Sequence, residues 1–311
     1  MSSPKLSTHQ SGYGGRGYAD IFGINGGNTL MSVTTAISAL DKPGIRQWER
    51  QQVAAYAVTH VEDLISRSEE VGYRYLMAVP KFLTPEKVDE LDPDINVWNA
   101  PEYALNEAAE AGTWMHTYVE DHLSGRYTED PWRDDQYQMV EAFHEWEAEH
   151  DIEVLSLERT VYGDNYAGTA DLFARIDGMV TLVDWKTSAA VRESHKMQLA
   201  AIGASITTAL EVPEGTPGSV AHKLQPKVSA EHGGQEVAWF REEPLPDFER
   251  YCVVQIRPGD YDNRGTYVEP FCKMHEIPHA QIETAYKLFR AAVDARLAQR
   301  ELKALMKEEE A

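Results

Sequence analysis

The sequence has little of what usually classifies a chain quickly. It carries two cysteines, Cys252 and Cys272, far apart and in no Cys-x-x-Cys pattern. One chain therefore cannot supply a four-cysteine zinc or iron–sulfur site, and the pair reads as buried or incidental. No apolar run reaches the roughly 18–20 residues of a membrane helix. The opening stretch MSSPKLSTHQSGYGGRGY contains no apolar signal core. A cytoplasmic protein with no membrane partner is expected. There is no Gly-x-x-x-x-Gly-Lys phosphate loop, which excludes a fused helicase motor, and no Gly-x-Ser-x-Gly elbow. Positive charge is scarce too: 29 Lys and Arg stand against 51 Asp and Glu, a net charge of −22. Taken alone, that opposes a nucleic-acid partner, whose phosphates favour basic surfaces. It suits an acidic enzyme or a site that gathers cations.

What is present is ample apolar material, 42% of 311 residues, enough for one large core or two smaller ones. Residues 1–28, rich in Gly and Ser, read as a flexible arm or a loop laid on the body; GGRG at 14–17 is read as part of it. Residues 32–65 read as two helices broken near Lys42-Pro43-Gly44, with Ser32 or Thr34 as first cap. Thr84-Pro85 opens a short helix over 83–91, and 101–123 and 134–149 are two more. The apolar period then changes to two. Strands are expected at 153–163, 165–176 and 179–186, and again at 251–257 and 265–271. A largely apolar helix capped by Ser194 fills 194–210. A polar excursion occupies 211–248, and an amphipathic helix spans 279–308. Four segments follow: an arm to 28, a helical region over 29–100, a core over 101–275 and a C-terminal helix over 276–311.

The segment VDWKTS, Val183–Ser188, sits in the third strand of this group. Asp177-Gly178 is a strong two-residue hairpin signal, so opposed residues across that turn have numbers adding to 355. Asp171 then faces Asp184, and Thr169 faces Lys186. Lys186 shares the face of Asp184, two positions away. Like charges directly opposed destabilise a sheet, and Phe173 and Leu182 on the same face make desolvation worse. A bound cation or a raised pKa on one acid would relieve the conflict. A hard divalent metal prefers such carboxylates, and a lysine beside it can stabilise charge developing on phosphorus. An inserted bulge would instead send Asp184 to the other face, and a plain ion pair would explain Lys186 without chemistry. His116 lies on a helical stripe with Leu105, Ala109, Gly112, Val119 and Leu123, which turns it inward.

GTAD (168–171), DWK (184–186), QLAA (198–201) and the upstream helix AGTWMHTYVEDHL (111–123) together resemble the RecB-like branch of the PD-(D/E)XK nuclease superfamily. That branch has a helical histidine, Gly-x-x-Asp on the second strand, Asp-x-Lys on the third and a glutamine on the next helix. The segment 32–57 also resembles the N-terminal region of phage exonucleases related to CRISPR-associated RecB-like exonucleases. The resemblance implies an α/β restriction-endonuclease-like core, a central mixed sheet flanked by helices, behind a helical N-terminal region. It implies Mg²⁺ or Mn²⁺ held by Asp171, Asp184, the Trp185 backbone carbonyl and His116, with Glu158 as a further candidate. Lys186 would be the catalytic lysine, and Gln198 would position it or the DNA backbone. The activity implied is metal-dependent DNA hydrolysis, most naturally by an exonuclease of phage replication or recombination, in the host cytoplasm. DNA is the partner, and a single-strand annealing protein is a candidate second one. The sequence departs from the pattern at Ile202, where the family often has tyrosine, and in lacking the iron–sulfur cysteines.

Two other readings stand beside it. A nuclease-fold protein that binds DNA or a recombination partner without cutting would suit the acidic charge. A hydrolase of small phosphates would act on nucleotides but not on polymer. HEWEAEH (144–150) does not make a zinc protease, because His144 and His150 are six apart and His-Glu-x-x-His needs four. The net charge is also less decisive than its distribution. Lys42, Arg46, Arg50, Lys81, Arg192 and Lys196 group with Lys186, whereas acids concentrate at 102–110, 141–153, 242–249 and the tail.

Overall fold

The computed structural model describes residues 7–8, 17–18, 29–40, 43–71, 100–206, 248–261 and 264–309. The expected helix over 83–91 and nearly all of the polar excursion lie outside these residues, as do Lys42 and Lys81. The chain divides into two compact units, one of Met1–Leu40 with Trp114–Ala311 and the other Asp41–Thr113. The second contains α2 (Pro43–Thr59) and α3 (Val61–Val71). In sequence α1 (Val33–Ile37) was grouped with these helices; in the structure it belongs to the sheet-bearing unit. Ser32 caps α1, its hydroxyl accepting the Thr35 N–H at 3.0 Å.

A central mixed sheet flanked by helices forms the first unit, the restriction-endonuclease-like arrangement expected. The long antiparallel strands are β4 (Ile152–Gly163), β5 (Tyr166–Ile176) and β6 (Met179–Lys186). Beyond β6, β7 (Arg250–Arg257) runs parallel to it, and β10 (Phe271–Glu276) runs antiparallel to β7. Between these last two, β8 (Asp260–Tyr261) and β9 (Tyr267–Val268) form a separate small hairpin. The strand expected over 265–271 is thus split, with the sheet strand starting at Phe271. Inside the Gly- and Ser-rich stretch, β1 (Ser7–Thr8) and β2 (Gly17–Tyr18) join the sheet through β3 (Leu30–Ser32).

The Asp177-Gly178 turn has both residues at positive φ, 53° and 83°, as a two-residue hairpin of the I′ kind requires. The ladder follows: Ile176 pairs with Met179, Phe173 with Leu182 and Leu172 with Val183. It stops there. One edge of β5 is covered along its length by β4, so β6 and β3 must share the other. β6 takes Leu172–Ile176, and β3 pairs in parallel with Tyr166 and Ala167. Residues 168–171 lie in the fork between them. Thr169 therefore has no place opposite Lys186; its hydroxyl meets Tyr18 at 2.9 Å.

Helices cover both faces. Phe173 and Leu182 pack with Met197, Leu199 and Ile202 of α6 (Glu193–Ile206) and Phe289 of α7 (His279–Glu309). Trp185 points the other way, edge-on to Phe143 and Trp146 of α5 (Asp134–Ala148). Gly168 is small for a reason: a Cβ there would come within 2.9 Å of Val33 and 3.6 Å of Ile202. The expected Ser194 cap is replaced. α6 begins one residue earlier, and the Arg192 N–H is accepted by His195 Nδ1 at 3.2 Å. Among the described residues no helix is long and apolar enough to cross a membrane.

Candidate metal and active site

The fork between β3 and β6, at residues 168–171 of β5, gathers the chemistry. Asp171 enters it from β5, Asp184 and Lys186 from the end of β6. On the other side of Asp171, β4 is in a register that pairs Leu157 with Leu172 and Arg159 with Ala170. Glu158 therefore falls at the level of Asp171, and three carboxylates line up across three neighbouring strands. Glu158 has φ of 49°, a left-handed backbone that disfavours any residue but glycine. Such a conformation inside a strand costs about 1–3 kcal/mol and gathers at functional sites.

His116 arrives from α4 (Ala100–Leu123). Its Nδ1 is 3.7 Å from Asp171 Oδ2. The stripe that placed it inward is only half right: Leu105 and Ala109 are exposed, and the buried face begins at Met115, Tyr118 and Val119. Helical spacing cannot show where along a helix packing starts. His116 is 30% exposed at the rim of the fork. His116, Glu158 and Asp171 present ligand atoms within 4.8 Å of one another, so they could hold a metal ion.

Asp184 stands beside that group of three rather than in it. Oδ1 accepts from Lys186 Nζ at 2.7 Å. Oδ2 is buried and has no hydrogen-bond partner among the described residues. An orphaned buried carboxylate oxygen is rare; a cation would satisfy it, as would a proton shared with Asp171 on the raised Asp184 carboxyl. The oxygen-rich donor set fits a hard divalent ion. Lys186 Nζ also donates to the Trp185 carbonyl at 3.0 Å, so that carbonyl is already engaged by the lysine. Asp171 Oδ2 accepts the Trp185 N–H at 3.0 Å. Gln198 lies half-buried on α6, and its side chain makes no hydrogen bond among the described residues, to Lys186 or otherwise.

Burial pushes the Asp184 carboxyl up, Lys186 pulls it back, and Asp171 pushes it up again, to about 7 in the absence of metal. Burial would lower Lys186, but Asp184 and then Asp171 outweigh it and hold the ammonium above its ordinary value. Lys186 is thus a fixed positive charge. A carboxyl raised in the folded state contributes stability that is complete at low pH and lost as pH climbs through its folded value. Chelator-treated protein is therefore expected to melt lower at pH 8 than at pH 5.5, and Asp184→Asn should shrink that difference. An undiminished difference in the variant would assign the drop to the rest of the acidic chain.

Two residues support the site that the sequence reading passed over. Gln255 Nε2 donates to the Ser188 carbonyl at 2.7 Å, and Arg257 Nη1 donates to the Thr187 carbonyl at 3.0 Å. They fix the strand exit directly after Lys186. The alternation in YCVVQIR places both on one face of β7 and was their only sequence signal. Of the basic residues grouped earlier, Arg46 and Arg50 belong to the second unit, and Lys196 donates to Gln281 at 2.8 Å. Ile202, where the family often has tyrosine, is buried in the core.

No protein-family profile matches this chain. No curated protein matches it. Among solved structures, the chain is similar to a crystal structure of LHK-Exo in complex with dAMP. The identity is 15% and the TM-score 0.23, over 63% of this chain and 85% of that one.

Proposed function

We propose that this protein is a divalent-metal-dependent deoxyribonuclease of the RecB-like PD-(D/E)XK kind, a phage exonuclease of replication or recombination. One observation carries the reading: Glu158, Asp171 and Asp184 come together beside a lysine, with an Asp184 oxygen buried and, among the described residues, without a hydrogen-bond partner. Three acids kept together at the cost of mutual repulsion and a left-handed backbone are poor structural choices. They make sense around a cation.

Asp171, Glu158 and His116 would hold Mg²⁺ or Mn²⁺, with Asp184 Oδ2 and the Trp185 carbonyl as adjoining donors. The ion would supply Lewis-acid polarisation of a phosphoryl oxygen and a more acidic water. The chain's own part is positioning. Asp184 and the Trp185 carbonyl hold Lys186 rigid, so its ammonium can meet the anionic phosphodiester and stabilise the charge that builds on phosphorus. The Trp185 N–H fixes the Asp171 carboxylate, and the buried Trp185 ring anchors the strand beneath both. Gln198, whose side-chain amide makes no hydrogen bond among the described residues, would position Lys186 or the DNA backbone.

The test uses chelator-treated protein with Mg²⁺ or Mn²⁺ restored, offered linear duplex, single-stranded and closed circular DNA, and free nucleotides. Metal-dependent release of small products from linear DNA, with closed circles spared, is expected. Binding without cleavage would favour the non-catalytic alternative. Action on nucleotides alone would favour a small-phosphate hydrolase.

A further inference from the structure

A second group of metal-ligating side chains lies away from the fork, between α4 and α5. His122 comes from the last turn of α4, and His144 and Glu147 from one face of α5. Their ligand atoms all lie within 4.8 Å of one another. His122 Nε2 is 2.8 and 2.9 Å from the two Glu147 oxygens, and His144 Nδ1 is 3.1 Å from Oε2. Neighbouring ligands of a tetrahedral zinc ion, bound at about 2.0–2.1 Å, sit roughly 3.3 Å apart. The two histidine–glutamate separations are within a few tenths of an ångström of that spacing, and the two imidazole nitrogens lie within 4.8 Å of each other.

The surroundings hold the rings in place. His144 Nε2 is 2.8 Å from the Tyr118 hydroxyl, which can donate to a neutral ring or accept from one that ligates through Nδ1. A partner on the far nitrogen is the usual device for orienting a ligating imidazole. Tyr118 stacks on Trp114, Phe143 and His122 pack T-shaped, and the centroids of the two histidine rings are 4.7 Å apart. The ligand side chains are 28–39% exposed, so an ion can reach them. Nearby Glu120 and Asp121 are engaged by Arg126, which leaves Glu147 as the carboxylate facing the rings.

We infer that His122, His144 and Glu147 form a binding site for a zinc-class divalent ion, distinct from the magnesium-type site in the fork. Two imidazoles and a carboxylate select the softer transition ions, whereas the fork offers chiefly oxygens. The three ligands leave one position for water. The bound ion ties the end of α4, the helix that carries His116, to α5. HEWEAEH contains a zinc half-site after all, but His144 pairs with Glu147 and with His122 of another helix. His150 turns away to Asp177 at 2.7 Å.

Full-length protein stripped with chelator and titrated with Co²⁺ tests this. Wild type should show a visible absorption band of four-coordinate intensity, displaced by one equivalent of Zn²⁺. Glu147→Gln and His144→Ala should each weaken this binding at least tenfold, while Asp171→Asn keeps it. Zn²⁺ should raise the melting temperature of wild type but not of Glu147→Gln, which preserves side-chain size should His144→Ala fold poorly. Absence of the band from wild type overturns the inference, and the cluster is then a hydrogen-bonded brace. Binding unaffected by Glu147→Gln, or lost in Asp171→Asn, overturns it equally.

Discussion

Asp171→Asn should lower metal-dependent cleavage by about a thousandfold and leave the protein as stable as before, or more so. The asparagine carbonyl oxygen can still accept the Trp185 N–H that Asp171 Oδ2 accepts at 3.0 Å, so the fork keeps its shape. What disappears is one negative charge from a line of three. Opposed like charges cost roughly 0.2–1 kcal/mol on a sheet, and that much stability should return. A metal contributes several kcal/mol of charge stabilisation, and each 1.4 kcal/mol is tenfold in rate. Stability and activity therefore move in opposite directions, as they do where residues are kept for chemistry. Cleavage assays and thermal melts on the same preparation measure both. Undiminished cleavage would remove Asp171 from the site, and a large loss of stability would make it a structural residue.

Asp184→Ala should have the largest effect on the fold of any single change in the site. Asp184 is buried, and its partner Lys186 is only 18% exposed along its side chain. Removing the acid takes away the carboxylate hydrogen-bonded to the buried ammonium and leaves only the Trp185 carbonyl and the more distant charges of Asp171 and Glu158 near it; breaking a buried pair typically costs about 3–5 kcal/mol. At about 2–4 °C per kcal/mol for a unit of this size, the melting temperature should fall by roughly 10 °C. Asp184→Leu combined with Lys186→Met removes both charges and should recover most of the loss while cleavage stays absent. If the double variant melts as low as Asp184→Ala, the penalty comes from packing and not from the stranded charge.

The hairpin was legible because two local signals agreed. Asp177-Gly178 admits one tight turn, and the alternation on either side admits one register. The pairing from Ile176–Met179 to Leu172–Val183 could therefore be read from the sequence; beyond it the ladder ends, so the expected Asp171–Asp184 pair is not a ladder pair. Glu158 was harder. Its register runs unbroken from the Asp164-Asn165 turn, but its own left-handed backbone interrupts the strand at the site itself. Neither feature is announced by an apolar pattern. The fork itself was invisible, since it exists because β3, three residues long, reaches β5 from far along the chain. A strand that short has no period to read and falls inside the helical region expected over 29–100. The His122, His144 and Glu147 cluster escaped for the same reason: its residues come from two helices whose packing no local spacing encodes.

The bond from the Trp185 amide to Asp171 has a use of its own. In most strands such an amide is satisfied by a neighbouring carbonyl, which is indifferent to pH and to ions. Here its acceptor is a carboxylate at the centre of the site. The ¹⁵N–¹H resonance of Trp185 thereby becomes a resident reporter. Its shift should change as Mg²⁺ is added and engages that carboxylate, giving site occupancy directly and without any substrate.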